Sequence, residues 1–152
     1  MNSICSTWKF GALRHVVVNP DPTVWKKLDY LRKTRGVVDL LAGRELRVIG
    51  EADRMTALVL VGDDQTVHAL FQGETWTLFP VAANVANLVG FLDDVAGLWF
   101  GHENRYTLDT SNENRELAEL MLDEFVAANP GCDVGFWEYH CLAGLNMGFP
   151  LG

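Results

Sequence analysis

The chain has no apolar run near the roughly 20 residues needed to cross a bilayer. Its first residues, Met1-Asn2-Ser3-Ile4-Cys5, show neither the basic start nor the apolar block of a secretory signal. Both absences lead us to expect a cytosolic protein with no membrane role. Cysteine is scarce: Cys5, Cys132 and Cys141 make an odd count of three with no CxxC pair. That argues against a disulfide framework or a four-ligand zinc site and leaves small, buried thiols as the plain reading. Basic residues are scarce in one half only. Residues 77–152 carry two, Arg105 and Arg115, against eleven Asp and Glu, whereas residues 1–76 carry ten Lys and Arg against nine acids. A net charge of −8 gathered at one end repels phosphate backbones, so direct DNA or RNA binding is not expected. The same charge attracts a basic partner and speeds the encounter, unless it serves only to keep the chain dissolved.

What is present suits one packed interior. The 152 residues are 49% hydrophobic and include five Trp and eight Phe, far from the disordered regime. No repeat, low-complexity tract or linker interrupts them, so residues 1–152 are expected to form a single domain. Trp8 to Val18 reads as a strand ending at the Asn19-Pro20 breaker. A helix is expected next, with Asp21 as N-cap, Pro22 at its first position and Gly36 at its exit. Val24, Leu28 and Leu31, with Trp25, give it an apolar stripe, and Val37 to Ala42 form a short helical turn.

The hydrophobic period then changes to two. Leu46–Ile49, Ala57–Val61, Val67–Phe71 and Trp76–Phe79 are short β-rich runs separated by turn sequences such as Gly62-Asp63-Asp64-Gln65. Gaps this short cannot hold crossover helices, so neighbouring strands run antiparallel. The rest reads as helical. Asn84 to Phe100 places Leu88, Phe91, Leu92, Val95, Leu98 and Trp99 near one face and Asp93-Asp94 on the other. Thr110-Ser111-Asn112-Glu113 reads as a capping box, opening a helix that buries Leu117, Leu120, Met121 and Phe125 and stops before Asn129-Pro130-Gly131. The tail from Cys132 is too apolar to hang free and is expected to dock on the body. The expected fold class is α+β: an antiparallel meander of about four to six strands packed with three or so helices.

Catalytic chemistry is hard to place. His15 and His68 fall inside strand patterns, where a structural histidine is the better reading. His102-Glu103 lacks the second histidine of a metalloprotease helix, because Tyr106 stands there. His140-Cys141 offers a thiol beside an imidazole, but sequence neighbours seldom aim at each other and nothing in the sequence orients the ring. Asp63-Asp64 suits a hairpin turn, and Asp93-Asp94 a wet helix side. No phosphate loop, nucleophile elbow or calcium loop is present. Catalytic residues, metal ligands and cofactors are therefore not expected.

One arrangement carries more weight. Glu116, Glu119 and Asp123 are spaced by three and four on the helix after Ser111, so they share a face, with Glu113 a turn earlier. Arg115 alone offers local compensation, paired with Glu119. Such a stripe suits a merely wet face or one that receives a basic partner; Glu103 and Asp109 lie just upstream.

The order of elements is also informative. Val59-Leu60-Val61-Gly62-Asp63-Asp64, then Val67-His68-Ala69-Leu70 and Trp76-Thr77-Leu78-Phe79, lead into Asn84-Val85-Ala86-Asn87-Leu88-Val89-Gly90-Phe91-Leu92. Ala128-Asn129-Pro130 and Phe136-Trp137-Glu138 close the series. Over roughly residues 45–145 this resembles the SUKH superfamily of bacterial immunity proteins, which neutralise polymorphic toxins. It looks most like the branch whose strands feed an Asn-Ser-Ser turn, although the Ser-Ser hydroxyls are missing from Ala82-Ala83-Asn84-Val85-Ala86. The resemblance implies a SUKH-like α+β fold, no catalysis, and a cytoplasmic inhibitor that blocks a cognate toxin domain, often a nuclease or nucleic acid deaminase.

The expected function is thus an immunity-type protein inhibitor with a basic protein partner. Glu103, Asp109, Glu113, Glu116, Glu119, Asp123 and Glu138 are the candidate partner-binding acids. Trp137 and Tyr139 are candidate anchors, core being the favoured reading for both. A phage-encoded inhibitor of a nucleic-acid-binding defence complex fits the same features. A small enzyme or ligand-binding domain, with His102 or His140 beside a carboxylate in a pocket, and a secretion chaperone are the readings from other classes. Partner identity and oligomeric state are left open.

Overall fold

The computed structural model describes residues 6–10, 15–21, 24–53, 55–98 and 112–142. Its centre is one sheet of six strands in sequential antiparallel order: β1 Ser6–Lys9, β2 His15–Val18, β3 Leu46–Ala52, β4 Thr56–Val61, β5 Val67–Gln72 and β6 Trp76–Ala82. The meander over β3–β6 and the α+β class are as the period-two pattern predicts. Trp8–Val18 is not one strand but a pair, with Trp8 opposite Val16. The connection, residues 11–14, lies outside the described residues.

Five helices accompany the sheet among the described residues, more than the three or so expected: α1 Lys27–Lys33, α2 Arg35–Leu41, α3 Val85–Ala96, α4 Asn112–Ala128 and α5 Val134–Leu142. The expected helix from Asp21 to Gly36 starts late and is cut in two. Asn19 accepts the Asp21 N–H on its side chain at 3.1 Å, and its carbonyl accepts the Trp25 indole N–H at 2.6 Å, which holds this stretch in a turn. Lys26 rather than Asp21 precedes α1, and Pro22 lies outside the described residues. Thr34 is extended and separates α1 from α2. Gly36 sits in the first turn of α2, where an added Cβ would come within 2.5 Å of Trp76 Cδ1. It is a close-approach glycine rather than a helix exit.

Both faces of the sheet are covered. On one, Leu28, Leu31, Val37 and Leu41 of α1 and α2 pack against Leu46, Val48, Val59 and Leu70. On the other, α3, α4 and α5 pack against Val16, Val18, Ile49, Leu58 and Val81. This explains why β4 reads Ala57-Leu58-Val59-Leu60-Val61 with hardly a polar break: a strand buried on two sides has no wet face to mark. Asn84 caps α3 by accepting the Asn87 N–H at 2.7 Å, and Leu88, Phe91, Leu92 and Val95 are buried as their spacing predicts. The described part of the apolar tail docks as expected, through α5, with Trp137 and Leu142 fully buried; residues 143–152 lie outside the described residues.

The buried stripe of α4 differs from the expected one. Ala118, Leu122 and Phe125 face the core, while Leu117 and Leu120 are 46% and 56% exposed. The choice is made by partners outside the helix. Phe125 packs on Phe91 with ring centres 4.6 Å apart. Beyond the helix, buried Asn129 accepts the Ala83 N–H at 2.7 Å and the Asn87 amide at 3.2 Å, and donates to Phe125 O at 2.8 Å. Thr110 and Ser111 of the expected capping box lie outside the described residues.

Candidate functional site

The sheet divides the charges unevenly. Lys26, Lys27, Arg32, Lys33 and Arg35 stand on and beside α1 and α2, with Asp29 and Asp39 among them. Asp93, Asp94, Glu113, Glu116, Glu119, Asp123, Glu124 and Glu138 stand on α3, α4 and α5 of the opposite layer, with Arg115 among them. Among the described residues the ion pairs are Lys27–Glu51 and Asp53–His140, so none engages the α4 carboxylates. The expected Arg115–Glu119 pair does not form.

Glu113, Glu116, Glu119 and Asp123 are all exposed on α4. At 100° per residue, Glu116, Glu119 and Asp123 fall within about 60° of one another on the side away from Ala118 and Phe125. The two exposed leucines lie on the adjoining flank, which mixes apolar area into an acidic surface, and Glu124 is exposed beside them. Glu103 and Asp109 lie outside the described residues, as does His102.

The α5 candidates divide. Trp137 is fully buried and donates its indole N–H to Val81 O at 2.7 Å, so it is core and not a contact; packing against Phe136 and Phe91 fixes it there. Tyr139 is 54% exposed. Glu138 is half-buried, and its carboxyl is pushed above the usual range by burial and by the like charge of Asp133.

Two features carried no sequence signal. The first is a groove of about 240 Å³ between α3 and α4. Phe91, Met121 and Phe125 line it, together with the exposed carboxylates Asp94 from α3 and Glu124 from α4. Gly90 lies on the same wall, with open space where its Cβ would stand. The second is a buried polar knot. His140 Nδ1 lies 2.6 Å from Asp53 Oδ2, and Asp53 Oδ1 accepts the His15 backbone N–H at 2.8 Å. The imidazole of His140 is therefore oriented, contrary to the expectation from sequence. The ring is buried and packs on Phe136 at 4.3 Å and Tyr139 at 5.1 Å. Beside it, Cys141 is fully buried, and its thiol is pushed well above the ordinary value by burial and by the Asp53 charge. A thiol kept protonated is a poor nucleophile, and the Asp53 contacts tie α5 and β2 to the β3–β4 turn.

One acid of each sequence pair has a structural role. Asp64 accepts the Thr66 N–H at 2.9 Å in the β4–β5 turn, the backbone role its position predicts. Asp93 accepts the Trp8 indole N–H at 2.9 Å, tying α3 to β1. Among the described residues no group of three or more His, Cys, Asp or Glu is placed to hold a metal ion, and no helix is long and apolar enough to cross a membrane. Compared with known proteins, the chain matches no family model, no curated protein and no solved structure.

Proposed function

We propose that this chain is a cytoplasmic protein inhibitor of the immunity type, which receives a basic protein domain on the acidic layer formed by α3, α4 and α5. The supporting observation is that Glu113, Glu116, Glu119 and Asp123 are exposed on α4 and form no ion pair among the described residues. Like charges on one stripe repel by about 0.2–0.5 kcal/mol per pair, a cost that a basic partner would relieve. A toxin domain that acts on nucleic acid fits this surface, because its cleft must carry positive charge to hold a polyanion, and carboxylates compete for that cleft. The resemblance of the sequence over residues 45–145 to the SUKH superfamily points to the same kind of partner.

The experiment begins with capture from the native host and identification of the bound protein by mass spectrometry. Association rates of the purified pair are then measured at low and high salt for wild type and for E116K/E119K/D123K. Steering by this face predicts a slower association and a weaker salt dependence in the variant. Unchanged rate and salt slope would remove the α4 face from the interface.

A further inference from the structure

We infer that the groove between α3 and α4 is the pocket for one long cationic side chain, lysine or arginine, of the basic partner. The inference rests on the proposed function, which supplies a basic partner, and adds where the central contact is made. Four features of the groove agree. Its base is apolar, with the Phe91 and Phe125 rings 4.6 Å apart and Met121 beside them. Its mouth carries Asp94 and Glu124, one from each facing helix, and no ion pair engages either among the described residues. Its volume of about 240 Å³ exceeds a single water site and suits a side chain rather than a large ligand. Its wall is opened by Gly90, placed inside α3 where glycine costs about 1 kcal/mol relative to alanine. Nothing within 4 Å of a Cβ at that position requires the glycine for packing.

An aliphatic stem with a charged head matches this combination: methylenes cover the apolar base while the head reaches the carboxylates. An acidic or purely apolar side chain would leave both carboxylates unpaired. The groove lies on a different flank of α4 from Glu116, Glu119 and Asp123. Long-range steering and the seated contact are thus separable.

The test uses the isotope-labelled full chain titrated with a blocked Gly-Arg-Gly-Arg-Gly peptide and followed by amide NMR. A norleucine version of the peptide serves as control. Saturable shifts are expected at Asn87, Gly90, Phe91, Glu124 and Phe125 with the arginine peptide and not with the control. G90L fills the groove from open space, and D94N/E124Q removes its charge without adding bulk. Each is expected to weaken peptide binding about tenfold, the loss of one charge-assisted contact, while E116Q/E119Q/D123N leaves the groove shifts in place. Shifts confined to the outer face of α4, or groove shifts indifferent to both G90L and D94N/E124Q, would overturn the pocket and leave the steering face standing. Loss of steering in E116K/E119K/D123K tests the proposed function separately.

Discussion

The imidazole of His140 and the carboxylate of Asp53 meet at 2.6 Å although 87 residues separate them. Asp53 occupies the β3–β4 turn in a left-handed conformation, φ 54°, and also exchanges hydrogen bonds with His15 of β2 through its backbone N–H and its Oδ1. One short side chain thereby ties the first hairpin, the central strands and the last described helix. Burial acts to raise its carboxyl. The hydrogen bonds from His140 and the His15 N–H, with the charges of the two histidines, outweigh burial and hold it below the ordinary value. A carboxyl depressed in this way stabilises the fold fully above its unfolded value, near 3.9, and stops doing so as pH falls through the lower folded one. Wild type is expected to lose stability as pH drops past about 4, and D53N to lose less over the same window. At neutral pH, D53N should cost about 1–3 kcal/mol, because two donors lose a charged acceptor. Urea unfolding at both pH values reads both effects; a D53N curve parallel to wild type through the acid range would contradict the assignment.

Two glycines inside helices are predicted to respond with opposite signs. Gly36 faces Trp76, so G36A forces the indole to move and should destabilise by about 1–3 kcal/mol despite alanine's better helix propensity. Gly90 faces open space, so G90A should stabilise by about 0.5–1 kcal/mol. Chemical denaturation of the two variants side by side settles the signs, and equal shifts would show that the contact with Trp76 is relieved without cost.

What sequence reasoning reached and missed follows from the range of the interactions. The β3–β6 meander was legible because each turn is short and local. The late start of α1 was not, because its anchor is the Trp25 indole reaching back to the Asn19 carbonyl, and neither was the break at Thr34, where no residue is a strong breaker. On α4 the hydrophobicity of Leu117 and Leu120 outweighed that of Ala118 in the sequence pattern. The fold ranks them the other way because Phe91 and Asn129 fix the helix rotation. The acidic stripe needed only helical spacing and was readable. The groove needed α3 and α4 side by side, and the Asp53–His140 contact needed the whole sheet between them.

Trp137 separates the core reading from the contact reading of the aromatic tail. W137F keeps most of the volume but leaves Val81 O without its indole donor, and should cost about 1–3 kcal/mol. W137A adds a large cavity and should cost about 3–5 kcal/mol. A contact residue would behave otherwise, with stability unchanged and partner association weakened.

Asn129 joins stability to the proposed pocket. It is 2% exposed, and its amide makes three hydrogen bonds: from the Ala83 N–H and the Asn87 side chain, and to Phe125 O. These bonds lock the C-terminal end of α4 against the start of α3, the two walls of the groove. N129D retains the acceptor oxygens but loses the donor to Phe125 O and buries a charge, so it should destabilise more than N129A. N129A leaves the Ala83 N–H unpaired and should cost about 1–3 kcal/mol. Hydrogen exchange reports whether the loss is local: faster exchange is expected at the first turn of α3 and the last turn of α4, with the amides of β3 and β4 keeping their protection. Exchange that rises equally across the sheet would make Asn129 a general stability residue rather than the clasp of this groove.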